Sequence, residues 1–401
     1  MRKLLLACAA AVGFTGAAHA ANMDNPMVTP NVEPGKVVVR LDTKLLFLAG
    51  ISSDKLNKSG ADKNQGYGFD GFVRLYPTMD AMTTNGIKYG AAVEIRTNSA
   101  SGAVSNASAN STKQTFYIRR AYGYVGTDQM GTVRFGQIDG PLGLMKVGDM
   151  QSVGDGGVNG DVPDFVPSIS GAWQFPFSVG AEYAQNKIIY LSPSFAGFDF
   201  GVSFAPSTAA LLGSVTPASG GFGATQSAFP GDTRPRNIIE LNGRYRGEFG
   251  GVGLAANVGY LTSGRVNDGT TGALKSEDLS VVDAGAAITY MGLTVGGHMS
   301  TGRYNGYTNL SAKGEKDAMM YIIGANYVNG PYSVGAHYYN GSRPGVIGNG
   351  AAKKDSVVAV GATWNWAPGA QLIAELMTGY EHEGPVKNNG TGFVIGQAFR
   401  W

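Results

Sequence analysis

The sequence has 401 residues, 43% of them apolar, 15% charged and 61 of them glycine, with a mean hydropathy of -0.06 and 31 basic residues against 29 acidic ones. No window beyond Val12 approaches the ~20 consecutive apolar residues that a spanning helix needs, so crossing a membrane by helices is excluded. The charge balance carries no basic footprint for nucleic acid, and the single cysteine, Cys8, rules out a disulfide framework.

Residues 1–20 read as a secretory signal. Arg2 and Lys3 form the basic start, Leu4 to Val12 the apolar stretch, and Ala18-His19-Ala20 a small-x-small cleavage site before Ala21. Leu5-Leu6-Ala7-Cys8 has the outline of a lipid-attachment site, but the apolar stretch before the cysteine is too short for one. Without Arg2 and Lys3 the basic residues number 29, equal to the 29 acidic ones. Residues 21–401 contain no linker and no shift in composition, which points to one large unit rather than several domains.

From Lys36 onward one unit recurs about sixteen times: some ten residues with apolar side chains at every second position, then Gly, Asn, Asp or Pro. Val358, Val360, Ala362, Trp364 and Trp366 share one parity, while Ala359, Gly361, Thr363 and Asn365 share the other. Period two makes a strand with two unlike faces. Short connections are expected at Pro77 to Gly86, Thr127 to Gly131, Ser192 to Gly197, Glu248 to Gly251, Met291-Gly292, Val328 to Pro331 and Trp366 to Gly369. They alternate with long polar segments, of which the third, Asp139 to Phe177, is the longest and the eighth is Glu381 to Gly390. Strict alternation implies an antiparallel up-and-down barrel of about sixteen strands, with both chain ends at the short-turn rim.

Charges assign the faces. In the first strand Val37, Val39, Leu41, Leu45 and Phe47 stand on one side, and Arg40, Asp42 and Lys44 on the other. A charge facing lipid at the bilayer midplane costs about 2–4 kcal/mol, so the charged parity lines the lumen. The same test turns Arg74, Lys88, Glu94, Arg96, Arg134, Asp199, Asp283, His298, His337 and Glu375 inward. It turns Tyr89, Phe198, Phe200, Phe204, Tyr260, Tyr290 and Tyr327 outward, where amphipathic rings suit the headgroup level. Arg119 and Arg120 are adjacent, and the parity of Tyr122 and Tyr124 places Arg120 outward. A contact between protomers would cover that charge, and snorkelling to the rim is the alternative.

Three residue groups invite other chemistry. Asp155, Asn159 and Asp161 could offer oxygens to calcium, though at a spacing that matches no known calcium loop. His298 and His337 fall on the lumen parity of what read as neighbouring strands, with no nearby acid to complete a zinc set. His382, between Glu381 and Glu383, is the one catalytic candidate and lacks a partner serine. No cofactor, metal or enzymatic activity is therefore expected.

At Asn186 to Pro206, NKIIYLSPSFAGFDFGVSFAP, the chain resembles the strand-turn-strand of the general porins of Gram-negative outer membranes. Arg119 to Gly126, followed by Gly131 to Gly136, is similar to the fourth and fifth strands of that family, and Phe399-Arg400-Trp401 to its closing strand. The resemblance implies a water-filled outer-membrane channel for passive diffusion of small hydrophilic solutes and ions, assembled as a homotrimer. It implies contact with outer-membrane lipid and lipopolysaccharide, and reading of Trp401 by the assembly machinery, although the family's last aromatic is more often Phe. It also implies a third loop folded into the lumen, where Asp149, Asp155, Asp161 and Asp164 face Arg40, Arg74, Arg96 and Arg119 across a constriction. Val153-Gly154-Asp155-Gly156-Gly157 stands where the family often has Pro-Glu-Phe-Gly-Gly, which singles out Asp155. An arginine expected before Asn186 is absent from Tyr183-Ala184-Gln185, which thins the basic wall by one charge. A pore selective for a sugar or an anion, and a structural or adhesive barrel with a plugged lumen, are the alternatives.

Overall fold

The computed structural model describes residues 32–54, 66–97, 116–151, 165–166, 185–207, 235–265, 276–305, 310–344 and 351–401. Residues 1–20, expected to be a secretory signal, lie outside them, as do Asp155, Asn159, Asp161 and Asp164. In chain order the strands are β1 (Val37–Asp54), β2 (Tyr67–Met82), β3 (Lys88–Thr97), β4 (Phe116–Thr127), β5 (Gly131–Ile138), β6 (Gln185–Leu191), β7 (Phe198–Ser207) and β8 (Pro235–Phe249). Then follow β9 (Val252–Arg265), β10 (Ser280–Tyr290), β11 (Leu293–Arg303), β12 (Ala318–Asn329), β13 (Tyr332–Arg343), β14 (Lys353–Ala367), β15 (Ala370–Glu383) and β16 (Val386–Arg400). One helical turn, α1 (Pro141–Leu144), follows β5. Each strand pairs antiparallel with its sequence neighbours, and β1 pairs with β16 to close a sixteen-stranded barrel.

Closure removes every sheet edge, which is how a sheet satisfies its backbone in a medium without water. The period-two pattern then sorts side chains into two environments. On β1, Val39, Leu41 and Phe47 are exposed at 76%, 61% and 52%, while Lys44, Leu46 and Leu48 are buried. An outward band of bare Val, Leu, Ile, Phe and Tyr recurs on every strand and is a surface made for hydrocarbon. The aromatics expected outward, from Tyr89 to Tyr327, are all exposed.

Seven tight connections join alternate strands at one rim, at 83–87, 128–130, 192–197, 250–251, 291–292, 330–331 and 368–369. Met291 and Gly292 both have positive φ, +46° and +83°, the conformation that lets a two-residue hairpin follow the right-handed strand twist. Both ends of the barrel lie at this rim, since the Gly35 N–H donates to the Met82 carbonyl at 2.7 Å and Trp401 exchanges backbone bonds with Thr43.

Several sequence expectations fail here for identifiable reasons. Pro77 does not open a turn: β2 runs through it to Met82, with Pro77 opposite Leu41 of β1 and at the break in the β2–β3 pairing between Leu75 and Thr78, where a missing N–H is tolerated. The eighth loop is a two-residue turn at 384–385, since polar Glu381 to Glu383 and Val386 to Gly390 extend the strands instead of ending them. Arg120 does not face outward. A bulge in the β3–β4 register takes Glu94 opposite Arg120 but Ile95 opposite Ile118, so the extra residue, Arg119, lets both arginines reach the same inner carboxylate. Tyr122 and Tyr124 turn inward with Arg120, and Tyr124 hydrogen-bonds Asp80. The protomer-contact argument from Arg120 therefore lapses.

The inner face is less polar than the alternation implies. Leu261, Val281, Met320, Tyr339, Val357, Met377 and Val394 all stand on the inner parity, fully buried, and pack with Val166 and with Leu279 and Leu310 from the fifth and sixth long connections. Chain folded against the inside of the wall replaces water there, so apolar side chains are stable on both faces.

Candidate functional site

The segment after β5 is fastened to the inner wall at Pro141, Leu142, Val147 and Gln151. The Leu142 N–H donates to Glu240 Oε2 at 3.3 Å, and Asn242 Nδ2 donates to the Pro141 carbonyl at 3.1 Å, both from β8. Glu240 itself pairs with Lys187 of β6 at 2.8 Å, with both side chains almost wholly buried. Further along, the Val147 N–H donates to Asn257 Oδ1 of β9 at 2.8 Å, and His298 Nδ1 of β11 donates to the Val147 carbonyl at 2.8 Å. His298 Nε2 meets Asp283 Oδ2 of β10 at 2.9 Å, where Ser300 Oγ also donates at 2.7 Å. Both partners of the His298 ring are acceptors, so the ring donates from both nitrogens. Asn326 Nδ2 of β12 completes the series by donating to the Gln151 carbonyl at 3.3 Å. Residues 141–151 thus traverse five consecutive strands, each contributing a polar inner side chain.

Two glycines permit the close approach. Gly148 has φ +75°, and a Cβ there would strike the Gly297 carbonyl. A Cβ on Gly285 would strike the Val147 carbonyl and crowd His298 Nδ1. The backbone therefore lies flat against the wall, as glycine alone permits. Phe165 presses on Gly50 of β1 and packs with Phe72 against Leu46, Leu48, Ile373 and Ala398.

Of the acidic candidates, Asp149 is described. It lies between Gly148, which faces Gly297 of β11, and Met150, which faces Gly324 of β12, and it bonds Lys146 at 2.8 Å and Gln151 at 3.1 Å. Among the basic candidates, Arg74 and Arg96 join one row. Arg400, Lys44, Arg74 and Arg96 stand directly opposite one another across β16, β1, β2 and β3. Phe72 sits under this row, 3.9 Å from the Arg74 guanidinium and 5.1 Å from Lys44 Nζ, a cation–π geometry that holds both charges toward the wall. Arg119 stands beside the row, 3.3 Å from Glu94, which also binds Arg96 and, at 2.5 Å, Arg120. Arg40 is set apart toward the short-turn rim, paired with Asp80 at 2.9 Å. β3 and β11 lie eight steps apart in a ring of sixteen, so Arg96 and Asp149 occupy opposite walls.

Arg120 also pairs with Asp139, the residue that leads out of β5. Burial alone would raise the Asp139 carboxyl, but Arg120 and Arg119 together hold it below the usual aspartate range. A depressed folded-state pKa stabilises above the unfolded value and is lost as pH falls through the folded one. Asp139→Asn is accordingly expected to lower the urea midpoint at pH 7 and to flatten its dependence on pH below about 4. Equal midpoints for the two proteins across that range would remove Asp139 from the anchor.

His298 and His337 do not form a pair, because β12 lies between their strands, and the acid near His298 is Asp283. Among the described residues no group of three or more His, Cys, Asp or Glu side chains could hold a metal ion. The His382 ring lies tilted against Tyr380 with ring centroids 4.7 Å apart, while Glu381 and Glu383 turn inward to Lys353. Sequence reading missed Lys187, which stands on the inner parity two residues past the segment where a cation was expected, and its partner Glu240. Period two alone would have turned both inward.

A comparison with protein families matches residues 7–382 to Gram-negative porins. A search of the curated proteins found no match. Among solved structures, the anion-selective porin from Comamonas acidovorans superposes with a TM-score of 0.58 at 16% identity, over 91% of this chain and 100% of its own. A mutant of the Rh. blastica porin gives 0.55 at 14%, over 91% and 100%, and OmpT of Vibrio cholerae gives 0.55 at 13%, over 92% and 99%. These identities speak for the fold. With sixteen strands, an apolar outer band and a family match that spans most of its length, the chain belongs to the Gram-negative porins and is a multi-pass β-barrel of the outer membrane.

Proposed function

We propose that this barrel is a water-filled channel for passive diffusion of small hydrophilic solutes and ions, narrowed by the third loop between Asp149 and the cationic row of β1 to β4. The observation that carries the reading is the run of hydrogen bonds that holds residues 141–151 on the inner parity of β8 to β12, opposite Lys44, Arg74 and Arg96. Opposed charges on low-dielectric walls produce a transverse field, in which polar solutes orient and apolar ones must shed ordered water. Asp155, Asp161 and Asp164 belong to the same loop and extend the acidic side of this proposal. Homotrimer assembly, lipopolysaccharide contact and reading of Trp401 by the assembly machinery are proposed with it.

Anion preference is the second reading. Among the described residues of β1 to β4 near the row, Lys44, Arg74, Arg96, Arg119 and Arg120 face the carboxylates of Glu94 and Asp139. The name of the Comamonas relative points the same way. In planar bilayers under a KCl gradient, the purified protein is expected to give a graded, barely saturable current with a reversal potential on the anion side. Arg74→Gln with Arg96→Gln should move that potential toward cations. Asp149→Asn should move it further toward anions. Absence of current rejects the channel, and a reversal potential unmoved by either change rejects the constriction.

A further inference from the structure

We propose that the fifth and sixth long connections form a second filter of this channel, an inward-folded tier at the outer mouth that rests on the third loop. Such a filter presupposes the conducting lumen proposed above, though not the charged constriction. The fifth connection joins β9 to β10 and the sixth joins β11 to β12, and residues 276–279 of the one and 304–305 and 310–317 of the other are described. They are stitched together. Ser276 and Ala312 form an antiparallel bridge, and the Glu277 N–H donates to the Ser311 carbonyl at 2.8 Å. The Glu277 carboxylate accepts from the Gly314 N–H and from Arg303, the last residue of β11, both at 3.3 Å. The two connections therefore hold each other and the rim of the wall.

Their apolar side chains turn into the barrel. Leu279, Tyr304 and Leu310 have no exposed surface, and they pack with Leu261, Val281 and Met320 of the inner parity. Apolar groups on the inner side of a water-filled wall are stable only while chain stays in place over them. Leu261 stands directly opposite Val281. Asn257, which holds the third loop through Val147, lies four residues from Leu261 on the same strand, roughly 13 Å along it toward the short-turn rim. Two layers of chain are thus stacked against the inside of β9 to β12.

Tyr304 joins the layers. Its hydroxyl donates to the Ser300 carbonyl at 3.4 Å, and Ser300 Oγ donates to Asp283 at 2.7 Å. Asp283 in turn accepts from His298 at 2.9 Å, and the other nitrogen of His298 holds the Val147 carbonyl of the third loop. Leu142 and Val166 of that loop also belong to one apolar cluster with Leu279 and Leu310. A solute arriving from the long-loop side meets the tier before it meets the third loop, so the tier sets a size limit of its own at that mouth.

Polymer exclusion in planar bilayers reads each mouth separately, because poly(ethylene glycol) added on one side lowers the conductance only when it enters from that side. The wild-type channel is expected to admit larger polymers from the short-turn side than from the long-loop side. Leu279→Asn with Leu310→Asn puts two amides into an apolar seat and should raise the long-loop cut-off to that of the other mouth, whereas Lys313→Gln, on the exposed turn of the tier, should leave it in place. Val281→Cys, in a chain whose one cysteine is Cys8, adds a readout that needs no current. It should resist an impermeant maleimide in the folded barrel and label roughly a hundredfold faster when combined with the two asparagines, as a locally opened segment does. Should the double variant not fold, the wild-type asymmetry and the protection of Val281→Cys still decide. Equal cut-offs at the two mouths of the wild type, an unmoved cut-off in a folded double variant, an equal shift in Lys313→Gln, or rapid labelling of Val281→Cys alone would each overturn the filter in a conducting barrel. A folded barrel without current would overturn the channel reading and the filter with it.

Discussion

Glu240→Ala is expected to cost the folded barrel about 3–5 kcal/mol, because it takes from the buried Lys187 ammonium the carboxylate it is hydrogen-bonded to, with Asp139 acting on it only through longer-range attraction. Lys187 and Glu240 have side-chain exposures of 0% and 1%, so water does not reach in to compensate. The same substitution removes the acceptor of the Leu142 N–H and opens the space that Gly140 now leaves to the carboxylate, loosening the first anchor of the third loop. Urea unfolding in detergent should show the lowered midpoint. The channel, where it still forms, should show noisier current as residues 141–151 detach. Lys187→Met with Glu240→Leu should restore much of the midpoint, since an apolar pair of similar volume avoids the uncompensated charge. If Glu240→Ala unfolds at the wild-type midpoint, the pair is not an anchor.

Gly285→Leu should expel the loop without adding or removing a charge. The new side chain has no space, because its Cβ alone would overlap the Val147 carbonyl and approach His298 Nδ1 at 2.5 Å. Either the wall strains or the loop leaves. Overpacking of this kind costs about 1–3 kcal/mol, comparable to the few hydrogen bonds that hold Val147, so the loop should yield first. The expected readout is a larger single-channel conductance with a weakened response to Asp149→Asn, at nearly unchanged barrel stability. A wild-type conductance in a folded Gly285→Leu barrel would show that residues 141–151 do not limit the pore.

The barrel was legible because its determinants are local and repeated. Alternation along Val357 to Trp366 reports the face of each residue, and turn pairs such as Met291-Gly292 report the hairpins, with no need to know what lies across the lumen. What the sequence hid depends on partners distant in the chain. Arg120 could be turned inward only through a bulge opposite Glu94 and Ile95, and nothing local signals the extra residue. Leu261, Val281 and Met320 sit inward because other segments cover them, so an inner face read as polar is apolar in part. The tight turn at 384–385 was hidden by the polarity of its flanks, which suits strands standing in water as well as loops. Asp149 was found by charge type within the loop, whereas Asn257, Asp283 and His298, which fix that loop, lie more than 100 residues away.

The seam between β1 and β16 sets the order of assembly. Lys44 meets Arg400 and Thr43 meets Trp401, so the pairing with the greatest separation along the polypeptide is the one that shuts the cylinder. Every other strand can zip to a neighbour that precedes it, at low entropic cost, while this contact waits for the last strand. Until it forms, two open edges persist, each able to recruit a foreign strand. Biogenesis is thus exposed to failure at its final step, and any factor that shields those edges until the terminus arrives governs the yield.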